Sequence, residues 1–242
     1  MLVIPAIDLK DGKCVRLSQG RMDRVTLYSD NPAEVARKWE GMGARLIHLV
    51  DLDGASAGRP VNTEAIRRII DSVEIPLQLG GGIRDQKTAE EYFSLGIDRI
   101  VLGTAACEQP ELIAEACRRY PGKILVSIDA REGKVAIKGW EEITDREAIE
   151  LARRLEELKV ASIIYTDIKR DGMMSGPNLE ETRKLAESLN TPIIAAGGIS
   201  CLEDIRSLME LEQYGVEGVI TGKALYRGKL DLREALELTR QG

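Results

Sequence analysis

The chain states one pattern twice. Near its start an apolar run, Val3-Ile4-Pro5-Ala6-Ile7, ends on Asp8 and continues Leu9-Lys10-Asp11-Gly12-Lys13. Near its midpoint Leu125-Val126-Ser127-Ile128 ends on Asp129 and continues Ala130-Arg131-Glu132-Gly133-Lys134. The echo keeps its order: Asp53-Gly54 with Gly58 matches Asp171-Gly172 with Gly176, Gly81-Gly82-Ile83 matches Gly197-Gly198-Ile199, and Leu102-Gly103-Thr104 faces Thr221-Gly222-Lys223. The two sets stand roughly 120 residues apart, with the drift of a few positions that loop insertions and deletions produce. The fold must therefore accept two equivalent halves, each bringing one aspartate to the end of an apolar run.

Short apolar runs alternate with segments of helical period along the whole chain, the signature of βα units on a parallel sheet. The strand patterns are Leu2 to Asp8, Arg45 to Leu52, Pro76 to Gly80, Arg99 to Gly103, Lys123 to Asp129, Ala161 to Asp167, Pro192 to Ala196 and Val216 to Thr221. The helical patterns that follow are Pro32 to Met42, Thr63 to Ser72, Gln86 to Ser94, Pro110 to Tyr120, Asp145 to Leu158, Leu179 to Ser188, Cys201 to Leu211 and Leu232 to Thr239. Asn31-Pro32, Asn62, Asp85, Thr144 and Asn178 supply helix-start chemistry, and Gly43, Gly96 and Gly215 stand where a left-handed terminating residue is wanted.

Eight such units either close into a barrel or remain an open doubly wound sheet. The repeat favours closure, because two four-unit halves become equivalent around a barrel axis and inequivalent in an open sheet. A length of 242 residues fits one (β/α)8 TIM barrel, an α/β fold with half-barrel repeats at about 1–120 and 121–242, and no linker or composition shift marks a boundary between them. Gly12 to Ser29 and Arg131 to Ile143 exceed minimal connections and are expected to be ligand-covering loops.

At 43% hydrophobic and 31% charged residues the chain reads as an ordinary soluble protein, and the absence of a long uninterrupted apolar run or a basic leader points to the cytoplasm. Cys14, Cys107, Cys117 and Cys201 form no CxxC pair and read as reduced thiols. A net charge of −6 argues against a nucleic-acid surface, though not against a small anion held by local N–H groups.

Active sites of such barrels lie at the C-terminal ends of the strands. Asp8 and Asp129 occupy these ends on the first and fifth strands, opposite one another, which suits a general base and a general acid addressing one substrate from two sides. The acid must have its pKa raised by burial or by neighbouring negative charge. Gly81-Gly82 with Gly103-Thr104, and Gly197-Gly198 with Gly222-Lys223, read as two phosphate cradles on opposite sides, implying a ligand with a phosphate at each end. His48 shares its side-chain parity with Val50, leaving packing and substrate contact both open. Thr166 stands at the repeat position of Val50, Asp171 either contacts substrate or tunes Asp129, and Arg16 and Arg84 are candidate partners of a phosphate or carboxamide. Ligand-spaced metal clusters are lacking, and no base is paired with a serine or cysteine nucleophile, so no metal or cofactor is expected.

With these residues in place the chain resembles, end to end, the ProFAR isomerase family of histidine biosynthesis. The resemblance is carried by Pro5-Ala6-Ile7-Asp8-Leu9-Lys10-Asp11-Gly12, Val15-Arg16-Leu17, Gln19-Gly20, His48-Leu49-Val50-Asp51-Leu52-Asp53-Gly54-Ala55, Thr166-Asp167-Ile168 and Arg170-Asp171-Gly172-Met173. It implies a cofactor-free Amadori rearrangement of an aminoaldose to an aminoketose, with Asp8 as proton acceptor, Asp129 as proton donor, Thr166 and Asp171 in support, and Arg16, Gln19, Gly20, His48, Arg84, Gly176 and the two cradles around a bisphosphate substrate. The only partner implied is that small molecule, with no membrane or obligatory protein. Three alternatives stay open: an isomerase that also accepts phosphoribosyl anthranilate, the related cyclase of the same pathway, and a non-catalytic bisphosphate-binding module.

Overall fold

The structure, a computed structural model, describes residues 1–18, 20–137, 139–140 and 142–240. Its strands in chain order are β1 (Leu2–Lys10), β2 (Lys13–Ser18), β3 (Arg21–Ser29), β4 (Ile47–Asp51), β5 (Leu77–Gly80), β6 (Arg99–Leu102), β7 (Ile124–Arg131), β8 (Lys134–Ile137), β9 (Glu142–Glu147), β10 (Ser162–Asp167), β11 (Ile193–Ala196) and β12 (Val216–Thr221). Eight of them, in the order β1-β4-β5-β6-β7-β10-β11-β12, pair in parallel, and β12 returns to β1 through Leu2↔Gly218 and Ile4↔Ile220. The ring is closed, so the barrel has no open edge of its own. This is the expected (β/α)8 architecture.

Two hydrophobic clusters show how the sequence pattern is spent. Ile4, Ala6, Leu46, Val101, Leu125, Ile164, Ile194 and Ile220 form a cluster with no helix residue in it, and so fill the inside of the barrel. The alternate residues, among them Val3, Ile7, Ile47, Leu49, Leu77, Leu79, Val126, Ile163 and Val219, join helix side chains such as Ala36, Trp39, Ile66 and Leu151 in the layer outside it. Both faces of most of the strands are thus apolar, which is why they read as continuous Val/Ile/Leu runs. The same alternation settles the parity of the site: Asp8 follows Ile4 and Ala6 on the inner face, His48 follows Leu46, Asp129 follows Leu125, and Thr166 follows Ile164.

A helix follows each barrel strand: Pro32–Gly41, Thr63–Ile70, Gln86–Leu95, Pro110–Arg119, Ala148–Glu157, Leu179–Glu187, Leu202–Met209 and Leu232–Leu238. Asp85 caps the third through Thr88 N–H at 2.7 Å, Asn178 caps the sixth through Glu181 N–H, and Gly96 and Gly215 end their turns with φ of 107° and 102°. Two expected caps are corrected. Thr144 lies inside β9, and the fifth helix begins only at Ala148 after Glu147. Asn62 precedes its helix but turns its side chain away from the helix N–H groups, for a reason given below. No helix among the described residues is long and apolar enough to cross a membrane.

The two long excursions are not loops but β-hairpins, a further correction. After β1 the chain folds back as β2 and β3, and after β7 as β8 and β9, all antiparallel. The hairpins thus follow the two strands that carry Asp8 and Asp129, and the twofold repeat extends to the excursions. Short helices Leu52–Ala57, Thr104–Glu108 and Lys223–Tyr226 also stand at strand ends on the mouth side.

Candidate active site

Around the ring β1 and β7 are diametrically opposed, so Asp8 and Asp129 face the mouth from opposite walls. Their surroundings differ sharply. Asp8 is buried and ion-paired, Arg16 Nη1 standing 2.6 Å from its Oδ2. Arg16 comes from β2, where the antiparallel register sets Val15 opposite Asp8. Asp129 has no such partner among the described residues. Burial pushes its pKa up, against hydrogen bonds from the Trp140 and Thr166 side chains that pull it down. Thr166 is its direct neighbour on β10, in register with Asp129.

Asp171 lies on the loop after β10, within electrostatic reach of both aspartates. Burial first, then the charges of Asp8 and Asp129, raise its pKa to about 6, against the pull of Arg16 and Lys223. Its repeat counterpart Asp53 has another fate. Burial works against its ionised form, but Asn62, the Asp11 N–H at 2.7 Å and Lys10 hold its pKa below the usual range. One duplicated aspartate fastens the β1–β2 turn, and the other stands in the mouth.

Beneath both positions sits a second duplicated device that sequence reading missed. Asp51, fully buried at the end of β4, accepts from Gly54 N–H, Val61 N–H, Asn62 N–H and Asn62 Nδ2 at 2.7 to 3.0 Å. Asp167, at the end of β10, accepts from Lys169 N–H and Arg170 N–H and from Asn178 Nδ2 at 2.6 Å. In each half an aspartate ending a strand grips an asparagine at the next helix. Asn62 spends its side chain here and on Gly12 N–H, which is why it does not cap.

The glycine turns answer first to packing. A Cβ on Gly81, which has φ of 101°, would collide with the Asp51 carbonyl, and one on Gly197 would lie 2.8 Å from the Asp167 carbonyl. A Cβ on Gly82 would lie 2.6 Å from Arg59 O, and Gly198 is pressed against Gly176 O, its own carbonyl accepting from Gly176 N–H. These turns are therefore the places where the strand-end loops of neighbouring units touch through backbone. Gly103 and Gly222 immediately precede the short helices Thr104–Glu108 and Lys223–Tyr226. The Arg16 guanidinium lies directly over Gly222, in space a side chain there would fill, and Lys223 Nζ donates to Gly172 O at 2.6 Å and Ser18 Oγ at 3.1 Å. Arg84 is exposed with its guanidinium against Gly58, outside the Asp8–Asp129 axis.

His48 is buried on the inner face, and its Nδ1 pairs with Gln78 Nε2 at 3.0 Å. Burial, then the Arg16 charge, press its pKa down to about 3. Gly20 lies against the Trp140 ring, where a Cβ would come within 2.7 Å of Cζ3, so the two hairpins meet over the mouth. Trp140 itself has φ of 76°, an unusual backbone for a bulky residue. Sequence reading missed Trp140, an aromatic alone in a polar turn. Gln19 lies outside the described residues.

The structure thus gathers Asp8, Arg16, His48, Asp129, Thr166, Asp171, Gly222 and Lys223 at one end of a closed barrel. Residues 2–231 match the histidine biosynthesis protein family, and the chain belongs to that family. Within it the chain is similar, end to end, to proteins named 1-(5-phosphoribosyl)-5-((5-phosphoribosylamino)methylideneamino)imidazole-4-carboxamide isomerase. It is 62% identical to that of Syntrophotalea carbinolica over 240 residues, covering 99% of each chain, and 60% and 58% identical to those of Trichlorobacter lovleyi and Geobacter sulfurreducens over 242 residues, covering 100% of this chain and 99% of each relative. Among histidine biosynthesis proteins, its family is that of these isomerases.

Proposed function

We propose that this protein converts the aminoaldose ProFAR to the aminoketose PRFAR without a cofactor or protein partner, with Asp129 as the acid and Asp8 as the base. The names of the relatives support the substrate, and the unequal environments of the two carboxylates carry the mechanism. A pair of carboxyls can divide acid and base work only when their surroundings differ. Asp129, half-buried beside Thr166 and Trp140 and without a cation among the described residues, is disposed to hold a proton. Asp8, fixed in its ion pair with Arg16, is disposed to accept one.

Asp129 protonates the ribose ring oxygen, the C1–O bond breaks, and the amine nitrogen's lone pair makes the C1=N Schiff base. Asp8 takes the C2 proton, its electron pair forms the C1=C2 bond of an enolamine, and the imine electrons return to nitrogen. Protonation at C1 and loss of the C2 hydroxyl proton give the ketone. The two glycine turns with their following helices receive the terminal phosphates, Arg16 and Lys223 adding charge on the Gly222 side.

Turnover of ProFAR is the test, beside Asp8→Asn and Asp129→Asn and with phosphoribosyl anthranilate as a second substrate. The wild type turns over, and each variant falls by roughly a hundredfold to ten-thousandfold while keeping its circular dichroism. Undiminished turnover in Asp8→Asn would remove it as the base. Turnover of the second substrate would establish a broader isomerase.

A further inference from the structure

Gln78 is a polar residue at the centre of a buried apolar strand, and the reaction above makes no use of it. It lies fully buried on β5, beside His48 in the β4–β5 register, with Ala6 of β1 on the far side of His48. Its Nε2 is 3.0 Å from His48 Nδ1, and its Oε1 is buried with no partner. Nε2 faces Nδ1, and an amide nitrogen carries hydrogens and no free lone pair, so in this contact it can only donate. Gln78 is therefore the donor and His48 Nδ1 the acceptor. A neutral imidazole that accepts at Nδ1 must carry its proton on Nε2.

We propose that Gln78 is a positioning residue that locks His48 as the Nε2–H tautomer, so that the ring offers the substrate a hydrogen-bond donor and not a base. This rests on the reading of the barrel mouth as the isomerase site, because the donor is of use only to a ligand bound there. Nε2 has no hydrogen-bond partner among the described residues, and the ring shares the inner face with Asp8. Burial in the inner layer and the neighbouring Arg16 charge keep the imidazole uncharged. Proton transfer then falls to the aspartates, with His48 holding an acceptor oxygen of the substrate in place. Second-layer partners that fix a histidine tautomer in this way are familiar from metal sites. Here the ligand is organic, and the device is a neutral amide between two strands.

His48 is the only histidine in the chain, so a protein labelled with 15N-histidine gives one imidazole and no assignment problem. In the ligand-free wild type the proton resides on Nε2, with Nδ1 showing the downfield shift of an unprotonated ring nitrogen. Gln78→Glu replaces the donor by an acceptor and moves the proton to Nδ1, and kcat/KM falls about tenfold, the scale of one lost substrate hydrogen bond. In a His48→Asn background the same substitution costs nothing further, because its effect runs through the ring. A wild-type ring protonated on Nδ1, or a Gln78→Glu protein that still carries its proton on Nε2, overturns the inference. An Nε2–H ring in a protein without ProFAR turnover supports the Gln78 lock and removes the proposed function; turnover with an Nδ1–H ring does the reverse.

Discussion

Single side chains decide what each half of the duplication does. Asp53 and Asp171 stand at matched repeat positions, yet the first is consumed by hydrogen bonds from Asn62 and the Asp11 N–H, while the second stands half-buried in the mouth among Asp8, Asp129, Arg16 and Lys223. Its burial gives Asp171 a thermodynamic signature. Its pKa rises from 3.8 to about 6 on folding, so between these values the folded state binds more protons than the unfolded one. The stability this contributes is full below about pH 4 and is lost as pH rises toward 6, amounting to up to about 3 kcal/mol. Asp171→Asn cannot titrate. Urea unfolding at intervals from pH 4 to 7 should show the wild type losing stability relative to the variant across this window, and the variant the more stable at pH 7. Parallel curves would mean that the mouth solvates Asp171 as well as water does.

At the scale of elements, the sequence showed what periodicity can carry and little else. The eight barrel strands and eight long helices were legible because each buries an apolar face of regular period. The short helices Leu52–Ala57, Thr104–Glu108 and Lys223–Tyr226 span too few turns to show one. The β3 strand is exposed along most of its length, so its mixture of Arg21, Asp23 and Arg24 has no core side to alternate with, and it read as loop. In the site, Asp8 and Asp129 were visible through the repeat. Trp140, Gln78 and the gripping aspartates Asp51 and Asp167 were not, because their roles come from groups that only the closed ring brings together. A polar Gln78 between Leu77 and Leu79 was the one signal open to notice. The grips themselves are unequal. Asn62 is buried and its side chain joins Asp51, Asp53 and Gly12, whereas among the described residues the Asn178 side chain joins only Asp167 and Glu181. Asn62→Ala should therefore lower urea stability by about 3 kcal/mol and Asn178→Ala by about half as much, on the usual worth of buried bonds to charged groups. Equal losses would show that the extra Asn62 bonds to the hairpin turn contribute nothing.

At the scale of the molecule, the question is whether two halves that look alike also fold as two. Dividing the chain near residue 120 cuts the barrel at two seams, β6–β7 through Ile100↔Ile124, Val101↔Leu125 and Leu102↔Val126, and β12–β1 through Leu2↔Gly218 to Pro5↔Thr221. Either half alone would carry two unpaired strand edges and open the inner cluster, to which Ile4, Ala6, Leu46 and Val101 come from one half and Leu125, Ile164, Ile194 and Ile220 from the other. Neither half owns a complete core, and the mouth draws Asp8 and Arg16 from the first and Asp129, Thr166 and Lys223 from the second. We propose that residues 1–242 form one cooperative domain. The two tryptophans make this measurable, since Trp39 is buried in the first half and Trp140 lies in the second. In a Trp140→Phe protein, Trp39 emission follows its edge-on contact with Tyr226, which spans the two halves, while far-ultraviolet circular dichroism follows the secondary structure of both. Coincident urea midpoints and slopes from the two probes mean that the seams transmit unfolding across the whole ring. An emission transition displaced from the dichroism would show the halves parting before they melt, and the duplication would then be one of folding units as well as of sequence.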